Sequence, residues 1–108
     1  MAVMDDRNFD IDIKNGVSVV KFFSLWNSSS RTLEQPFKEL SEEFRGKVKF
    51  LASEINSNPI LSEKQVITKV PTIIIYVNGR QAARMSDVSK RLLREKIEYF
   101  VKKEKDLV

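Results

Sequence analysis

Residues 17–31 read Val-Ser-Val-Val-Lys-Phe-Phe-Ser-Leu-Trp-Asn-Ser-Ser-Ser-Arg. Val17 to Phe23 is β-branched or aromatic at almost every position, the pattern of a strand covered on both faces. A single charge, Lys21, interrupts it. The period then changes. Between Arg31 and Phe44, the residues Leu33, Phe37, Leu40 and Phe44 recur at helical spacing and form one apolar stripe. Ser28, Ser29 and Ser30 precede this helix as candidate N-caps. Pro36 lies inside it and predicts a kink, because proline lacks the backbone donor and crowds the previous turn. Gly46 marks the stop.

Working outward, Val48 to Ile55 reads as a second strand. Asn58, as cap, and Pro59, in the first turn, open a short helix that carries Ile60, Leu61 and Val66. Pro71 to Val77 is a third, strongly hydrophobic strand. Asn78-Gly79 turns it into an antiparallel partner, Gln81 to Met85. Ser89 to Lys105 closes the chain as an amphipathic helix with Leu93, Ile97, Phe100 and Val101 facing inward. Asn15-Gly16 is a second strong turn pair. A short strand and a helical turn lie in front. A strand–helix–strand unit requires a parallel pair, and the final hairpin is antiparallel. The expectation is an α/β domain spanning residues 1–108, with a central mixed sheet of about five strands flanked by helices on both faces.

Composition narrows the chemistry. There is no cysteine, so a disulfide, a thiolate nucleophile and a zinc–thiolate site are all excluded. There is no histidine, which removes the commonest general base and metal ligand. No cofactor and no metal are expected. No apolar run reaches the length of a membrane span, so no membrane association is expected. Met1 to Asp10 is acidic, without the layout of a signal peptide, and the expected location is cytoplasmic. The net charge is +4, but acids and bases interleave, which reads as a solvated surface rather than a nucleic-acid interface.

The order and spacing of these segments resemble the thioredoxin family over residues 3 to 101. Phe9-Asp10-Ile11-Asp12-Ile13 is similar to the family's first helix. Val19 to Trp26 is similar to the strand that leads to its active-site tryptophan. Gly46-Lys47-Val48, Ile55 to Pro59, Asn78-Gly79 and Val88-Ser89-Lys90 fall at matching places. Val70-Pro71-Thr72 resembles the loop whose proline is cis in the family. The family motif Trp-Cys-Gly-Pro-Cys-Lys stands here as Trp26-Asn27-Ser28-Ser29-Ser30-Arg31. Asn27 and Ser30 therefore occupy the places of the two redox cysteines, and no catalytic residue is assigned. A serine hydroxyl without a base cannot replace a thiolate at a helix N-terminus.

The resemblance implies a surface that binds a protein partner or an extended peptide segment through Trp26, Asn27, Ser28, Ser29, Ser30, Val70, Pro71 and Thr72. The alternative it implies is a thioredoxin-type disulfide oxidoreductase in cysteine-less form, either diverged or engineered. The family's buried carboxylate aligns with Lys21, and the lysine that pairs with it aligns with Ala52. An unpaired buried cation costs roughly several kcal/mol, so Lys21 is expected to find a partner, with Glu54 as candidate, or to reach water at the edge.

Other features have plainer readings. Asn27-Ser28-Ser29 is formally a glycosylation sequon. The three serines and Arg31 could cradle a phosphate at a helix N-terminus, but capping explains them. Arg80, Arg84, Lys90, Arg91 and Arg94, with the tail Lys102, Lys103 and Lys105, are diluted by Glu95, Glu98 and Glu104. The acidic pairs Asp5-Asp6 and Glu42-Glu43 read as solvated.

Overall fold

The computed structural model describes residues 2, 3 and 8–106; Asp5-Asp6 and the side chain of Lys105 lie outside the described residues. The elements follow the order β1 (Ala2–Val3), α1 (Phe9–Asp12), β2 (Val17–Phe23), α2 (Ser28–Glu43), β3 (Val48–Glu54), α3 (Pro59–Lys64), β4 (Thr72–Val77), β5 (Arg80–Ser86) and α4 (Lys90–Asp106). Among these, no helix is long and apolar enough to cross a membrane.

Strand β2 takes the centre of a five-stranded sheet ordered β1-β3-β2-β4-β5. Its near-continuous apolar run demands cover on both faces, and Val17 to Phe22 are all buried. It pairs parallel with β3, Lys21 standing opposite Ala52, and antiparallel with β4, Phe22 standing opposite Thr72. The mixed sheet with helices on both faces is thus as the pattern predicts.

Alternation along the strands splits the core in two. On one face α2 and α4 cover Val17, Val19, Val48, Phe50, Ile73 and Ile75 with Leu33, Phe37, Leu40, Phe44, Leu93 and Ile97. Phe37 meets Phe50 edge-on, ring centroids 5.2 Å apart. On the other face α1 and α3 cover Val20, Phe22, Leu51, Ile74 and Tyr76 with Phe9, Ile13 and Leu61. Tyr76 is buried there and donates its hydroxyl to Gln65 Oε1 at 2.7 Å.

Several boundaries differ from expectation by one to three residues; helix α3 ends at Lys64 and leaves Val66 outside it, at φ +53°. Helix α2 starts at Ser28, three residues before Arg31, because the serines are accommodated within its first turn. It also runs through Pro36 to Glu43. Strand β5 is one residue longer at each end than Gln81 to Met85 and absorbs an irregularity opposite Ile75 and Tyr76.

Candidate functional site

The carboxyl ends of β2 and β3, the first turn of α2 and the loop before β4 meet at one end of the sheet. Their meeting point is built from hydrogen bonds between polar side chains and loop amides. Ser24 leaves β2, and its N–H donates to Ser30 Oγ at 3.3 Å. Its own hydroxyl accepts the Trp26 N–H at 3.3 Å, and its carbonyl accepts the Asn27 N–H at 3.2 Å. Asn27 sits in extended conformation, and its Oδ1 accepts the Ser30 N–H at 2.9 Å.

Asn27 is therefore the N-cap of α2, a correction to the expectation that Ser28, Ser29 or Ser30 fills that place. The physical reason is reach. An asparagine at the extended residue before the helix presents its amide oxygen to the N–H three positions on. Ser28 and Ser29 instead lie exposed inside the first turn, and Ser30 is buried against the end of β2.

The loop is also tied to β3 through a residue that sequence reasoning assigned elsewhere. Glu54 ends β3 and is buried, its carboxylate accepting N–H groups from Leu25 at 3.0 Å, Asn56 at 2.6 Å and Ser57 at 3.0 Å. Burial opposes its ionisation, but these donors outweigh burial and hold the carboxyl below its ordinary range. Glu54 is thus not the partner of Lys21. An acid closing an apolar strand just before Asn56-Ser57-Asn58-Pro59 was the available signal, since such a turn leaves amides to be satisfied.

Lys21 lies beneath this loop with only 4% of its surface exposed. Its Nζ stands 5.0 Å from the ring centre of Phe23 and 5.1 Å from that of Phe37. Two aromatic faces take the place of the expected carboxylate or water. Burial pushes its amine below the ordinary lysine range, and the negative charge of Glu34 on α2 partly opposes that.

Beside the loop, the Val70–Pro71 peptide bond is cis, and Pro71 and Thr72 are buried. Thr72 Oγ1 donates to the Lys69 carbonyl at 2.6 Å. Ser29 and Pro71 line one cavity, so α2 and the proline loop share a surface. In the loop before α2, Trp26 stands out with 87% of its surface exposed. Trp26, Asn27, Ser28, Ser29, Ser30, Val70, Pro71 and Thr72 thus lie in the two loops and the helix turn at this end. Ser30 and Thr72, being buried, brace it from within. Among the described residues, no three acidic, histidine or cysteine side chains come together as a metal-binding group.

Comparison with known proteins agrees with this geometry. The family model for thioredoxin matches residues 1–103. The chain is 30% identical over 74 residues to the thioredoxins of Staphylococcus saprophyticus and Staphylococcus haemolyticus, covering 68% of this chain and 71% of each relative. It is 27% identical over 75 residues to the thioredoxin of Staphylococcus aureus strain Mu50, covering 69% of this chain and 72% of the relative. On its sequence match and its architecture, the chain belongs to the thioredoxin family.

Proposed function

We propose that this chain is a redox-inactive member of the family that holds a protein partner or an extended peptide segment on the surface around Trp26 and the cis-proline loop. Exchange of a disulfide needs a thiolate, and the chain has no sulfur at Asn27 or Ser30. The observation that carries the reading is Trp26. A tryptophan exposed to 87% is unfavourable for solubility, and its loop is fixed by hydrogen bonds rather than left loose. Such a side chain is pre-organised for a partner. Leu25 and Ile60, exposed to 63% and 58%, add apolar surface at the same end. Val70, next to the cis bond, is the residue whose backbone an extended segment would pair with.

The test is capture of partners by the full chain, read by the amount of partner retained, with Trp26 emission as a second readout in every protein that keeps this single tryptophan. Trp26→Ala and Pro71→Ala should each weaken capture at least tenfold, while binding unchanged in both variants rejects the site. The competing reading, a disulfide oxidoreductase without its cysteines, is tested by insulin reduction. The chain should be inert as it stands. Recovery of turnover in an Asn27→Cys, Ser30→Cys double variant would favour recent loss of the sulfurs over a long-established binding role.

A further inference from the structure

Strand β5 is an edge of the sheet, paired with β4 on one side only. Its other side has no strand partner among the described residues, and such a free edge is a template for another chain. Beside its first residues a groove of about 220 Å³ opens between β5 and the last turns of α4. Val77, Ala82 and Phe100 line it with apolar surface. Tyr99 continues that wall, meeting Phe100 edge-on with ring centroids 5.0 Å apart. The volume lies below the range of small-ligand sites, about 300–1,000 Å³, and suits a side chain carried in by a polypeptide.

Charge selects among polypeptides. Arg80 lines the groove and has no ion-pair partner among the described residues. Lys103 lines it too, and its Nζ meets the Tyr99 ring, 5.7 Å from the ring centre. Glu104 belongs to the same wall, so two cations stand against one carboxylate. Arg84 adds a third positive charge along β5, its guanidinium engaged by the carbonyls of Gln65 and Val66 rather than by an acid. A second copy of β5 laid antiparallel on this edge would set arginine near arginine, which is destabilising. An acidic strand gains where that copy loses.

We propose that the free edge of β5 binds an extended acidic segment of a partner protein as a sixth strand, with one aromatic side chain of that segment seated in the groove against Phe100. Alternate side chains of an added strand fall on the α4 side of the sheet, where Ala83 and Met85 already pack. A segment patterned acid, spacer, aromatic, spacer, acid therefore turns its ring to the groove and its carboxylates to Arg80 and Lys103. The site lies at the hairpin end of β4 and β5, opposite the end that carries Trp26, and does not depend on the surface there.

The probes are three short synthetic peptides with the cores Glu-Thr-Phe-Thr-Glu, Glu-Thr-Ala-Thr-Glu and Lys-Thr-Phe-Thr-Lys. Each is titrated into the isotope-labelled full chain and followed through backbone amide resonances. The acidic phenylalanine peptide should shift the amides of Ala82, Ala83 and Phe100 and bind about tenfold more tightly than its alanine counterpart. The lysine peptide should leave those amides in place. In an Arg80→Glu, Lys103→Glu double variant, both positions being exposed, the preference should pass from the acidic to the lysine peptide. Shifts confined to Val70 and the loop around Trp26 overturn the edge site and leave the other surface standing. Equal binding of acidic and lysine peptides overturns it, as does a preference that ignores the double variant. Shifts along β5 that grow with the concentration of the chain alone make a second copy the occupant and overturn the acidic segment. Peptides that shift no amide overturn the site outright.

Discussion

The two ends of the sheet are closed by different physics. At the end where β2 begins, the chain turns on glycine: Gly16, Gly46 and Gly79 have φ of +74°, +82° and +87°. Asn78, at φ +50°, precedes Gly79 in the hairpin and locks two turns together. Its N–H donates to the Gly16 carbonyl at 2.9 Å, and its Oδ1 accepts the Gly16 N–H at 2.8 Å. At the end where β2 finishes there is no glycine. Besides Asn78, the left-handed residues other than glycine among those described are Val66, beyond α3, and Asp87, beyond β5, each at φ +53°. A β-branched residue in that region is strained. It is held by neighbours, since the Arg84 guanidinium donates to the carbonyls of Gln65 and Val66, and Lys69 reaches Asp87. One end is unstrained and self-contained. The other carries left-handed Asp87, the buried charges Lys21 and Glu54, and an exposed tryptophan.

The largest expected effect breaks the second end. Glu54→Ala should cost about 2–4 kcal/mol in urea denaturation, because three loop amides lose a charged acceptor. The carboxyl is held below its unfolded value of 4.5. Its contribution is therefore full above that pH and lost as pH falls through the folded value. Acid unfolding of Glu54→Ala should accordingly be flatter than that of the parent.

Next in size, and opposite in sign, Lys21→Met should stabilise by about 2 kcal/mol, since a buried cation gives way to an apolar side chain of similar reach. The folded amine lies below its unfolded value of 10.5, so the unfolded chain binds more protons in between. Stability should then rise with pH across that window in the parent and not in the variant. Tyr76 acts the other way. Burial holds its hydroxyl protonated above the ordinary value of 10.0, so stability should fall as pH climbs past it in both proteins.

A matched pair sharpens the contrast directly. Gly79→Ala should destabilise by about 1–2 kcal/mol, because φ +87° is costly for an L side chain although the added Cβ finds only ordinary contacts. Val66→Gly should stabilise by about 0.5–1 kcal/mol, by relieving strain at some cost in chain entropy. Equal signs in the two melts would dissolve the distinction between the ends. The smallest effect on stability belongs to Trp26→Ala, within about 0.5 kcal/mol, since the side chain buries little. Its effect should appear in partner capture alone.

How far each end could be read beforehand follows the same division. Asn78-Gly79 announces its turn because only a few residues tolerate positive φ at both positions. Val17 to Phe23 announces a central strand because nothing else explains so many adjacent apolar residues. Asn27 as cap was missed because three neighbouring serines compete for that place, and only the strand's exit angle selects among them. The role of Glu54 was missed because its donors, Leu25, Asn56 and Ser57, come together only when β2 and β3 lie side by side.

By itself the sequence determined the periodicity, the turns, the family and the absence of sulfur, all of which are properties of neighbouring residues or of composition. The tertiary structure decided which polar group satisfies which. It placed Lys21 over two aromatic rings, gave Glu54 to the loop amides, and set an apolar groove between β5 and α4. Hydrophobic burial is non-directional and can be read from pattern, whereas hydrogen bonds and ion pairs depend on angstrom-scale distances between segments far apart in the chain.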